Sequence, residues 1–199
     1  MDKIEICNMA LSRIGASPIE ALTEASEAAR KCEQFYEHDR RVVLRRFPWP
    51  WATRRVELAQ LSETPSDYQY AYRYPADCVC LRKVYAVEED GHLRPLPDFV
   101  SYQIVGDGSG VALYTNEPRA VAEYTANVSD VSIMDDIFAE ALSWKLASSI
   151  AFKLTGNAQI AQIATGEYER IFLTAAADAE NEQNVKTPEL NTFVAARFV

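Results

Sequence analysis

The feature that most constrains this chain is a change of hydrophobic period, from helical to strand-like and back to helical. Ile4, Cys7, Leu11 and Ile14 recur at steps of three and four, which is one apolar stripe of a helix. Gly15 supplies a stop and Pro18 prevents resumption. A second helix is expected after Thr23, whose hydroxyl would cap its first turn. It should run to about Phe47, a rod of roughly 34 Å at ~1.5 Å per residue, before Pro48 ends it. Ala25, Ala28, Cys32, Phe35, Val42 and Val43 are expected to supply most of its inward face.

Phe47-Pro48-Trp49-Pro50-Trp51 then makes a stiff aromatic joint. Two prolines fix the backbone, and Phe47, Trp49 and Trp51 bring enough apolar area to anchor one layer on another. Beyond it, strand-type runs are expected at about 52–61, 78–87, 99–105, 111–114 and 120–125. Asp90-Gly91, Pro95/Pro97 and Gly106-Asp107-Gly108-Ser109-Gly110 supply the turns between them.

The helical period returns at Ile137. One stripe is Ile137, Ala141, Trp144, Ala147 and Ala151; a second is Phe138, Leu142, Leu146 and Ile150. A helix apolar on two sides is buried by two neighbours, so this one should be central. It ends near Thr155-Gly156-Asn157, and a last helix carries Ile160, Ala164, Tyr168, Ile171, Ala175 and Ala179. The rest has anchors but no period. The expected fold class is therefore α+β: residues 1–50 and 129–183 form one helical bundle, 51–128 an inserted small antiparallel β domain, and 184–199 an extended tail.

Composition bounds what such a fold does. The 199 residues are 48% hydrophobic and 25% charged, which excludes disorder over most of the length. No apolar run approaches the ~20 residues that span a bilayer, and Met1-Asp2-Lys3-Ile4-Glu5 has no basic-then-apolar export pattern, so synthesis and assembly in a cytoplasm are expected, with no membrane partner. The net charge of -9 opposes whole-surface attraction to nucleic acid or anionic lipid.

A search for chemistry finds little. Cys7, Cys32, Cys78 and Cys80 read as small buried hydrophobes, because the one close pair, Cys78-x-Cys80, lacks zinc-site spacing and on a strand would face one side. His38 sits in the charged stretch Glu37-His38-Asp39-Arg40, and His92 follows a turn, so neither has the setting of a catalytic base. The glycine-rich segment 106–110 is followed by Val111-Ala112-Leu113-Tyr114, a strand rather than the helix a phosphate loop requires, and reads as a hairpin turn. Asn127-Val128-Ser129 matches a glycosylation acceptor only as a tripeptide. No enzyme, metal or cofactor is expected.

Charge layout says more. Between Ala28 and Arg55 stand eight lysines and arginines against three acids, while Asp130 to Glu189 holds ten acids against four bases. These are ordinary surface faces, or one subunit's basic helix meets a neighbour's acidic face in a head-to-tail contact, which closes a ring where its rotation permits. DNA binding by the arginine pairs is the third reading, against the overall charge.

The ordered motifs carry a resemblance. Ala10-Leu11-Ser12-Arg13-Ile14-Gly15 leads to Ala28-Ala29 and Arg40-Arg41. Leu44-Arg45-Arg46-Phe47-Pro48-Trp49-Pro50-Trp51-Ala52 and Tyr72-Arg73-Tyr74-Pro75-Ala76-Asp77-Cys78 follow, with Phe138-Ala139-Glu140-Ala141-Leu142 and Leu154-Thr155-Gly156 closing the series. In this order the chain, over about residues 4–182, resembles the head-to-tail adaptor proteins of short-tailed bacteriophages and prophages, also called tail tubular protein A or gatekeeper proteins. The resemblance implies a virion protein without enzymatic activity and a helical domain holding an inserted β domain. It also implies a twelve-fold ring between portal protein and tail nozzle protein, with genomic DNA passing through the lumen.

On that basis Arg40, Arg41, Arg45 and Arg46 are expected at a subunit or portal interface. The tail would order on a partner through Phe193 and Phe198, and part of the negative charge would face the channel. The alternatives are a DNA-interacting regulator using the arginine-rich second helix and, third, a hydrolase using His38 or His92.

Overall fold

The computed structural model describes residues 1–96, 102–106 and 110–182. Its architecture is α+β. Helices α1 (Lys3–Arg13) and α2 (Glu27–Arg46) are followed by seven strands, then by α3 (Asp136–Thr155) and α4 (Ala158–Glu182). The tail 184–199, with Phe193 and Phe198, lies outside the described residues.

Local chemistry sets the helix ends. Asp2 accepts from the Glu5 amide at 2.8 Å while Glu5 accepts from the Asp2 amide at 2.6 Å, a reciprocal cap on α1. Gly15 turns the chain at φ +72°. Asn8 then holds the returning segment through both its amide groups, which pair with the main-chain N–H and C=O of Ile19 at 2.8 and 2.9 Å. The second helix starts later than expected. Ser26, not Thr23, accepts from the Ala29 amide at 3.1 Å, so the rod is 20 residues, or about 30 Å.

Its buried face is also rotated from the expected one. Ala29, Cys32, Tyr36, Asp39, Arg40, Val43 and Leu44 are buried, whereas Ala28, Phe35 and Val42 are only half-buried. Counting hydrophobes missed this because two inward positions are charged.

Helix α3 is central and packs against α1, α2 and α4. Asp135 caps its start and Gly156, at φ +67°, ends it. Both expected stripes are buried apart from Ile137, which is exposed, and Trp144, which is half-buried. On α4 the buried positions are Ala164, Tyr168, Phe172 and Ala175; Ala179, expected to follow them, lies outside the described side chains.

The strands form two antiparallel sheets. One has the order β1-β7-β3-β4 (Thr53–Glu57, Ala120–Ala126, Cys78–Val87, Leu93–Pro95), the other β2-β6-β5 (Tyr70–Arg73, Val111–Thr115, Gln103–Gly106). Strands β2 and β4 were not expected: each is only four or three residues long, too short for period-two alternation to register. The expected 99–105 strand begins at Gln103, and 99–101 lie outside the described residues. Gly106 lies opposite Val111 in the antiparallel β5–β6 pair, while residues 107–109 of the expected glycine-rich turn lie outside the described residues.

Cys78 and Cys80 need correction, because they are half-buried rather than core residues. The β3–β7 register slips between them, which breaks the alternation that would have put both on one inner face. Cys7 and Cys32 are buried, and the hydrogen bond with Cys32, together with burial, raises the Cys7 thiol far above its ordinary value. One hydrophobic core runs from the helices into the sheets, taking in Leu11, Leu44, Trp49 and Leu146 together with Tyr72, Val84, Leu113 and Ala122.

Candidate assembly surface

The aromatic joint lies at the start of α3. The Trp49 ring is buried, meets Phe138 edge-on at 5.1 Å and Phe47 at 5.3 Å, and its indole N–H donates to the Val43 carbonyl at 3.1 Å. Trp51 meets the same Phe138 at 4.9 Å and donates to Asp135 at 2.7 Å, the carboxylate that also caps α3. Phe172 reaches Trp49 from α4 at 6.4 Å. The prolines thus bring the chain out of α2 and across the start of α3 before β1 begins.

The four arginines of α2 go to different places. Arg40, expected at a subunit or portal interface, is instead buried within the chain at 2% exposure. It donates to the Val128 carbonyl, to the Asn127 side chain at 3.0 Å and to Glu37 at 2.7 Å, tying α2 to the segment between β7 and α3. Arg46 forms a two-pronged pair with Glu169 of α4 at 2.8 and 2.9 Å and lies over the Phe172 ring at 4.0 Å. That partner raises the Arg46 guanidinium above its ordinary value and holds the Glu169 carboxyl below its own. Arg45 is exposed and donates to the Val79 carbonyl at 2.7 Å. Arg41 is exposed and has no partner among the described residues.

Arg41 and Arg45 line one cleft with His38, between α2 and the start of β3. Its volume is about 360 Å³, and Ala76, Asp77, Cys78, Val79 and Asn127 form the far wall. His92, by contrast, sits exposed beside Asp90 at 3.9 Å on a hairpin. Among the described residues no hydrogen bond joins either imidazole ring to a serine, threonine or cysteine side chain. No three His, Cys, Asp or Glu side chains among those residues gather as metal ligands would, and no described helix is long and apolar enough to cross a membrane.

Two polar positions escaped sequence reading. Arg82, in β3, donates to the Leu44 and Arg45 carbonyls at 3.2 and 2.9 Å and to Thr125 at 2.9 Å, closing the C-terminus of α2 with a cation. The basic pair Arg82-Lys83 inside a strand run that is otherwise apolar was the available signal. Asp39, fully buried, lies 3.4 Å from Lys145 of α3, and burial raises its carboxyl above the ordinary value. Its acid looked like one more solvated charge.

No protein-family model matches this chain. No curated protein matches it. A solved chain from the neck of an empty GTA particle, computed with C6 symmetry, is similar over 71% of this chain and 74% of its own length, at 14% identity and a TM-score of 0.26.

Proposed function

We propose that this chain is a non-enzymatic structural protein of a phage-type neck, a ring-forming adaptor between the portal protein and the tail nozzle protein. The observation that carries this reading is the agreement between the ordered motifs of residues 10–156 and the architecture they imply. Among the described residues every strand falls between α2 and α3, and α1 and α2 from the start of the chain pack on α3 from its later part. The adaptor resemblance calls for that arrangement.

Such a ring needs a stiff body, a lateral contact strong enough to close, and a bore to which DNA does not stick. The buried α3 with its aromatic clamp serves the first, and the basic cleft beside α2 is a candidate for the second. Part of the -9 charge facing the lumen would serve the third, because phosphate binding requires cations that displace counterions. In this reading copies assemble in the host cytoplasm, twelve to a ring, and end in the virion.

Negative-stain microscopy of the purified protein, alone and with portal protein, tests the reading. Rings, or ring formation on added portal, support it; a protein that stays monomeric with portal present refutes it. The DNA-regulator alternative has less to work with, since Arg40 is buried and Arg46 is paired with Glu169. Salt-dependent binding of the monomer to duplex DNA would favour it.

A further inference from the structure

We propose that the cleft beside α2 is a socket for a second copy of this chain, and that its plug is the acidic tip of the β3–β4 hairpin, Glu89 and Asp90. This rests on the ring reading above and names the surfaces that two neighbours would use.

The socket is a cationic spot on an acidic molecule. Asp77 is the single acid in its lining among the described residues, and it is already taken by Arg54 at 2.6 Å and the Tyr124 hydroxyl at 2.8 Å. Arg41 has no partner there, and Arg45 spends one N–H on Val79 and keeps its others. Half-buried Val42 and Val79 give the cleft apolar walls. Exposed cations without an acidic partner among the described residues, on a chain of net charge -9, attract acidic surface of the same species.

The plug is exposed and stiff. Each residue from Glu88 to Pro95 is exposed. The hairpin is braced from within: the Glu88 amide donates to the His92 carbonyl at 2.9 Å, the Gly91 amide to the Glu88 carbonyl at 2.9 Å, and Arg94 holds Glu88 at 2.5 Å. Gly91, at φ +84°, makes the reversal. With Glu88 engaged, Glu89 has no partner among the described residues, and Asp90 holds only the His92 amide at 2.9 Å and the His92 ring at 3.9 Å. Leu93, 40% exposed, offers an apolar shoulder behind the acids.

One strand carries both features at opposite ends. Strand β3 leaves the socket at Cys78 and reaches the hairpin after Val87, a span of about 30 Å at ~3.3 Å per residue. A tip that far away cannot fold back into its own cleft, so plug and socket meet only between copies. That contact is heterologous, and each copy seated leaves one socket and one plug free for the next.

The test is a charge swap read by sedimentation velocity, with circular dichroism confirming the fold. Arg41→Glu with Arg45→Glu reverses the socket, and Glu89→Lys with Asp90→Lys reverses the plug. Each reversed protein should self-associate about tenfold or more weakly than wild type, and the chain carrying all four changes should recover assembly. Wild-type association should also weaken as salt rises.

The proposal is overturned if folded reversed variants assemble like wild type, or if the four-fold variant fails to recover. It is equally overturned if the socket reversal abolishes binding to duplex DNA while leaving self-association intact. Rings indifferent to the swap would sink this contact and leave the ring reading standing. Swap-sensitive open chains that never close, with or without portal protein, would do the reverse. A wild-type chain that never self-associates, with portal protein or without, ends both.

Discussion

Helix α2 is held by two seams of opposite character. Toward α3 and α4 it ends in rings: Phe47, Trp49 and Trp51 against Phe138 and Phe172. Toward the sheets it is held by guanidinium groups: Arg40 on the Val128 carbonyl and Arg82 on the Leu44 and Arg45 carbonyls. The first seam is area, nearly indifferent to direction; the second is a few charge-assisted hydrogen bonds that accept one geometry. Stability should therefore concentrate in the aromatic seam, and the orientation of sheet on helix in the polar one. In a ring, angular error between those two parts would accumulate from copy to copy.

The largest expected effect strikes the aromatic side. Trp49→Ala removes a buried indole that touches four rings and should cost about 3–5 kcal/mol, read as a shift in denaturant midpoint at unchanged slope. A smaller loss than Arg40 substitution causes would reverse the ranking of the seams. Arg40→Met keeps most of the volume but leaves the Val128 carbonyl without its donor, at a cost of about 2–3 kcal/mol. Arg82→Met should cost about 1 kcal/mol, because the last carbonyls of α2 can turn to water at the exposed end of the helix. Both arginine variants should disturb assembly more than their stability loss accounts for, measured by sedimentation at temperatures where they stay folded. Trp49→Ala, where folded, should not.

The two seams were also unequally legible beforehand. The rings announced themselves, since two prolines and three aromatics in five residues leave few readings, and the helix–strand–helix order followed from period alone. What failed was everything decided by partners distant in sequence. Arg40 and Asp39 lie in a charged stretch whose periodicity points outward, yet both are buried because Val128 and Lys145, about ninety or more positions away, receive them. The capping oxygen shifted from Thr23 to Ser26 because two hydroxyls in that stretch compete and backbone geometry selects one. The cysteine strand lost its simple alternation to register slips, which no single-strand pattern encodes. The socket was half legible: its arginines were picked out, but their division between buried seam and open cleft was not.

The smallest effect separates two acids that face α2 and its partners. Glu169 pairs at the surface with Arg46, which holds its carboxyl below the ordinary value; Asp39 is buried, which raises its own. Their linkage to pH has opposite signs. A depressed carboxylate contributes stability that is present above its unfolded-state pKa and is lost as pH falls through its folded value. A raised one contributes stability at low pH that is lost as pH rises through its folded value. Glu169→Gln keeps Arg46 over the rings but removes the titrating partner. Both groups of that pair are substantially exposed to solvent, so the variant should lose only about 0.2–1 kcal/mol at neutral pH. The gap between variant and wild type should close in acid, below the ordinary carboxylate range, where Glu169 is protonated. Urea midpoints of the two proteins at neutral and acidic pH measure that gap directly. A gap that stays constant through the acid range would mean that Glu169 contributes by packing rather than charge, and the polar character assigned to this edge of α2 would then belong to Arg40 and Arg82 alone.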